Sequence, residues 1–160
     1  MLKVKTPSER LTTVYRVKAT EDFNITIFNG IDYQTEKIKK GDLGGYVEKG
    51  VILGDKSWVH NDSIIFGKSR FDGVTCGYAR IENSTIDEGS IIGDRTIITG
   101  SVVGQNTTIS GTTSIKDSSV QDNVLIIGTI VRRSKVVSGS TIKCAGTIVE
   151  QEIIGNRFRS

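Results

Sequence analysis

The chain has 160 residues, enough for one domain or one domain and a small cap. Hydrophobic content of 36% and aromatic content of 6% are low for a globular core, and no apolar run reaches membrane-spanning length. The net charge of +3 is too small for a dedicated nucleic-acid binder, but residues 130–160 hold six basic residues against two acidic ones, enough for a local anion site.

Residues 1–11 are polar, and irregular structure or exchange onto a neighbouring copy is expected for them. The start has no apolar signal segment, so a cytoplasmic location is expected. Residues 14–19 alternate and read as a strand. Residues 24–28 and 31–34 flank Asn29-Gly30, a pair that accepts the positive φ angles of a two-residue type I′ hairpin turn. The segment 41–48 reads Gly-Asp-Leu-Gly-Gly-Tyr-Val-Glu. It lacks the Lys-Ser/Thr of a phosphate loop, so it is read as a turn. Residues 1–50 are assigned to a small β cap over the open end of a repetitive segment that begins at residue 51.

From Leu53 the chain repeats. Leu53, Val59, Ile65 and Phe71 are spaced by six, each succeeded four positions later by Ser57, Ser63, Ser69 or Thr75. The pairing returns as Ile81/Thr85, Ile92/Thr96, Val103/Thr107, Ile109/Thr113, Ile115/Ser119 and Val137/Thr141. Neither a helix nor an alternating strand explains this spacing. A corner every six residues does, with the large residue on a flat wall and the small one where walls converge. Three walls make a coil of roughly 18 residues, and coils stack at roughly 4.8 Å. A solenoid is therefore predicted for residues 51–155, with 156–160 as a tail. A five-residue repeat and a fibre prism completed by three chains are the neighbouring alternatives. The pattern slips at Cys76-Gly77-Tyr78-Ala79-Arg80, which predicts a bulge or projecting loop over residues 76–90.

The six-residue motif resembles the hexapeptide repeats of left-handed parallel β-helices. Tyr15-Arg16-Val17, the octapeptide 41–48 and Trp58-Val59 together are similar to a family of phage and prophage proteins. The resemblance implies phage origin and an all-β, left-handed parallel β-helix, here of about six coils, assembled as a homotrimer. The hairpin of residues 24–35 departs from the family's pattern as an insertion, and it is expected to cap the exposed strand edges of the first coil. The resemblance also raises acyl transfer, in which a histidine is the general base in a cleft between subunits. His60 is the lone histidine and so the one candidate, beside Asn61 and Asp62, and no long loop comes after it to clamp a pantetheine arm. A solvated surface histidine is the plainer assignment.

No metal site or cofactor is expected, since one histidine and the separated Cys76 and Cys144 form no ligand cluster. Arg132, Arg133, Lys135 and Lys143 form the candidate site for an anion or a partner, with Arg157 and Arg159 in the tail beside them. Apolar residues beside the inward positions should face outward as an oligomer interface: Trp58, Ile64, Ile91, Ile97, Val102, Ile130 and Val136, with Ile52, Ile126 and Ile153. The resulting expectation is a non-catalytic phage-encoded homotrimer that binds or sequesters a host protein or small nucleotide. A structural component of the virion and an acyltransferase using His60 are the alternatives.

Overall fold

The computed structural model describes residues 1–60 and 62–158, apart from the side chains of residues 144, 145 and 156–158. Among the described residues there are strands and turns and no helix. Glycine, serine, threonine and β-branched residues dominate the sequence, and each disfavours helix while suiting short strands and turns.

Five strands precede or open the repeats: β1 (Leu2–Lys5), β2 (Leu11–Lys18), β3 (Phe23–Phe28), β4 (Tyr33–Ile38) and β5 (Leu43–Glu48). From β5 onward the chain winds as a parallel β-solenoid of about six coils with three walls. Wall A stacks Val47, Ile65, Ile81, Ile98, Ile115, Val131 and Ile148 as its inward residues. Wall B stacks Leu53, Phe71, Ile86, Val103, Val120, Val136 and Ile153. Wall C stacks Thr75, Ile92, Ile109, Ile126 and Ile142. All of these but Thr75 are apolar, and together they form the core column, which is why a low hydrophobic content suffices.

The first coil, from Val47 to Ile65, takes the expected 18 residues, but from Ile65 onward each takes 16 or 17, as the stacking of Ile65, Ile81, Ile98, Ile115 and Val131 shows. From Ile81 onward, one residue is lost in every coil at the corner between walls A and B. Gly67, Asn83, Gly100, Asp117, Arg133 and Glu150 occupy it with φ between 46° and 66°; from Asn83 onward this tight left-handed turn shortens the step from wall A to wall B to five residues, while Ile65 to Phe71 keeps six. The small residue after wall A therefore falls three positions on, at Ser84, Ser101, Ser118 and Ser134, all buried. The expected pairs Ile81/Thr85 and Ile115/Ser119 are off by one, and Val137/Thr141 is replaced by Val136/Ser140. The five-residue intervals belong to this corner and do not make a five-residue repeat. One chain supplies all three walls, so the three-chain prism is also excluded.

The serines at that corner hold the coils together. The amides of Ser84, Ser101, Ser118, Ser134 and Gln151 donate to the hydroxyls of Ser69, Ser84, Ser101, Ser118 and Ser134 on the preceding coil, at 3.1 to 3.2 Å. Each of those hydroxyls donates in turn to a carbonyl of its own coil, as Ser101 does to Thr99 at 2.8 Å. Buried backbone groups at the corner are thereby satisfied where strand pairing lapses.

The N-terminal strands wrap the solenoid. β2 pairs antiparallel with β5 and covers the edge of the first coil. β5 itself pairs in parallel with Ile64–Phe66, so coiling begins inside the segment assigned to the cap. At the other end Asn156–Phe158 pairs with residues 141–143 and continues the solenoid rather than forming a separate tail. Gly44 and Gly45 pack where the chain crosses residues 58–63. A Cβ on Gly44 would overlap the Val59 carbonyl and one on Gly45 the Ser63 carbonyl, which accounts for two of the three glycines of the octapeptide.

β3 and β4 form the expected hairpin, but its loop has four residues rather than two, because Phe28 pairs with Tyr33. Asn29 closes the loop with its side chain, its Oδ1 accepting from the amides of Ile31 and Asp32 at 2.9 and 2.8 Å. The hairpin does not cap the end of the solenoid. It lies along wall C, where Ile25 and Ile38 pack on Trp58 and Val74, and the Tyr33 hydroxyl bonds Thr108 Oγ1 at 3.0 Å. β1 folds over wall A, where Val4 and Val14 cover Ile64 and Phe66. Residues 76–90 form no projecting loop; they make ordinary corners and the wall strands Arg80–Glu82 and Thr85–Ile86.

Candidate binding sites

The register of the coils decides which of the predicted site residues meet. Residues 16 or 17 apart are neighbours, with backbones roughly 4.8 Å apart. By that rule Arg133 faces Glu150, and their side chains pair at 3.0 Å. Lys135 faces Glu152, at 2.8 Å. Two of the four expected anion ligands are therefore neutralised by carboxylates of the next coil. Lys143 is exposed but lies on wall C, away from that corner. Arg157 pairs with Ile142 through its backbone, and Arg159 lies outside the described residues.

Arg132 behaves differently. It is exposed on the outer face of wall A, directly beside Lys116 on the preceding coil. Among the described residues neither cation has an ion-pair partner. They line a groove of about 260 Å³ with Asp117 and Arg133. The Asp117 carboxylate is turned toward Gly100 on the coil before, and Arg133 is held by Glu150. Like charges directly opposite on adjacent strands repel and cost stability. Two unpaired cations of this kind suit a phosphate or carboxylate group, which the arginine fork can grip in two places. The sequence pattern does not single out Lys116, although its distance from Arg132 equals that between the core residues Ile115 and Val131.

His60 is not a solvated surface residue. It is half-buried under the hairpin, with Nε2 3.3 Å from Glu36 Oε2 on β4, and its amide donates to Thr75 Oγ1 at 2.8 Å. Asn61 lies outside the described residues. Cys76 is half-buried beneath the same hairpin, with Sγ 3.8 Å from the Phe28 carbonyl, and burial pushes its thiol up from the ordinary value. No group of three or more metal-ligating side chains occurs among the described residues.

The expected outward apolar face is much reduced. Val136, Ile126 and Ile153 point inward and are fully buried, because the wall B and wall C positions shift by one once the coil is shortened. Trp58, Ile64 and Ile91 do point out of the solenoid, but the chain's own N-terminal segments bury them. Ile130 is half-buried, while Ile52, Ile97 and Val102 are exposed.

A second concavity lies between the hairpin and the corner joining walls B and C. This cleft of about 480 Å³ is lined by Asn24, Ile25, Thr26 and Tyr33 of the hairpin, and by residues of four successive corners, from Lys56 to Asn106. It does not include His60. The molecule is thus a parallel β-solenoid clasped by its own N-terminal strands, with a cationic pair on one wall and a polar cleft on another. No family model matches the chain, and no curated protein sequence matches it.

Proposed function

We propose that the protein acts by binding rather than by catalysis, taking an anionic group of a host protein or a small nucleotide on the Lys116–Arg132 face. The adjacency of these two unpaired cations carries the proposal. Rigid coils fix the spacing of the two side-chain roots, and an incoming anion would relieve their repulsion. The phage or prophage setting rests on the octapeptide 41–48, and a counter-defence role derives from that setting. His60 is committed to Glu36 of the hairpin, which favours a structural role for it over that of a general base. Self-association belongs to the same proposal, since Ile97 and Val102 remain exposed on walls A and B.

Native mass spectrometry of protein purified from its expressing host tests the proposal. The wild type should retain an anionic species or partner that the Lys116→Ser/Arg132→Ser protein loses. Equal retention by both proteins would place binding elsewhere.

A further inference from the structure

The hairpin cleft has the chemistry of a site for a small neutral polyol. Its floor is apolar or backbone, formed by Ile25, Gly73, Val74 and Ile91. Its polar groups include both amide donors, Asn24 and Asn106, and carboxylate acceptors, Asp72 and Glu88. Charge is nearly balanced, because Lys56 lies 3.9 Å from Glu88. That leaves Asp72, a half-buried carboxylate packed over Gly54 of the preceding coil, whose side chain has no hydrogen-bond or ion-pair partner among the described residues.

Tyr33 completes the enclosure. Its ring packs against Phe28, with centroids 5.0 Å apart, and its hydroxyl is held by Thr108 Oγ1 at 3.0 Å. The aromatic wall is therefore fixed before any ligand arrives. The volume is within the usual range for small-molecule sites, roughly 300 to 1,000 Å³.

We infer that this cleft binds a saccharide of one or two rings, with a vicinal diol donating to the Asp72 carboxylate and the sugar's C–H face against Tyr33. A carboxylate accepts two adjacent hydroxyls side by side, and a partly desolvated one gains most from doing so. Amides at the rim supply the donors that the sugar's remaining oxygens need. An apolar floor suits the ring carbons. A lone organic cation would have to share the cleft with the Lys56 ammonium, and an anion would face Asp72 and Glu88. This site is independent of the Lys116–Arg132 face, which lies on another wall.

The test is a two-dimensional amide NMR titration of the whole protein with glucose, N-acetylglucosamine and maltose, with spermidine and adenosine monophosphate as the charged comparisons. At least one sugar should shift the amides of Thr26, Gly73, Gly89 and Asn106 with a saturable dependence. Asp72→Asn and Tyr33→Ala should each weaken that binding by about tenfold or more. Tyr33→Phe, which keeps the ring, should retain most of it. Thermal melting of each variant separates lost binding from lost folding. The inference is overturned if no sugar shifts these amides, if only spermidine or the nucleotide does, or if a folded Asp72→Asn protein binds the sugar unchanged.

Discussion

The backbone amide of Ser118 donates to the hydroxyl of Ser101, 3.1 Å away on the preceding coil, and that hydroxyl donates to its own Thr99 carbonyl. One small side chain thus satisfies a donor and an acceptor at a corner where no wall strand runs. Ser101→Ala removes both bonds and leaves the Ser118 amide buried without a partner. The expected loss is about 1 to 3 kcal/mol of unfolding free energy. Urea denaturation measures it, and a change below about 0.5 kcal/mol would mean the hydroxyl column is incidental.

Thr96 presents the opposite case. Its Oγ1 is buried and has no hydrogen-bond partner among the described residues, and the matching position on the preceding coil is Ala79, which offers none. Thr96→Val keeps the shape and removes the unsatisfied hydroxyl. The variant should be more stable by about 1 kcal/mol. A clear loss of stability would show that the hydroxyl is satisfied in solution.

Glu48 anchors the N-terminal wrap. Its carboxylate accepts two bonds from Arg10, at 2.7 and 2.6 Å, one from Thr12 and one from the Gly67 amide. The Arg10 guanidinium, chiefly, holds the Glu48 carboxyl down to about 2, against an ordinary value of 4.5. A depressed folded-state value means that the stabilisation is complete above the ordinary value and is lost as pH falls through the folded one. Thermal stability should therefore fall between about pH 4.5 and pH 2. Glu48→Gln should be less stable at neutral pH and should lose that part of the decline. An unchanged acid profile in the variant would sever the link to Glu48.

The cation pair makes a prediction about the protein without ligand. If Lys116 and Arg132 repel each other across adjacent strands, Lys116→Ser should raise stability by about 0.2 to 1 kcal/mol at low salt, with the gain shrinking as salt is added. Such a gain would show stability given up at this position. A loss of stability would mean that the Lys116 side chain supports the fold and that the groove is no site.

The solenoid is legible in the sequence because single large residues recur on walls and small ones at corners, as at Ile92/Thr96 and Ile109/Thr113. The coil length is not, because the corner at Asn83, Gly100 and Asp117 saves a residue through backbone conformation, which spacing alone does not reveal. That single residue has consequences at the site. With 18 residues to a coil, Arg133 and Lys135 look like free cations; with 16 or 17 they stand beside Glu150 and Glu152, and Arg132 stands beside Lys116. Trp58 and Ile91 point out of the solenoid, as the pattern predicts. What covers them is β3 and β4, and a hairpin that docks on coils it precedes by tens of residues leaves no local signal.

Thermal unfolding in inorganic phosphate tests the binding proposal most directly, because phosphate is the simplest group two adjacent cations would hold. A ligand at ten times its dissociation constant stabilises by about 1.4 kcal/mol, or roughly 3 to 6 °C for a chain of this size. The melting temperature of the wild type should rise with phosphate by this amount and saturate, while sodium chloride at matched ionic strength gives no such rise. The Lys116→Ser/Arg132→Ser protein should lose the response. An equal phosphate response in both proteins, or none in the wild type, would contradict an anion site on this face.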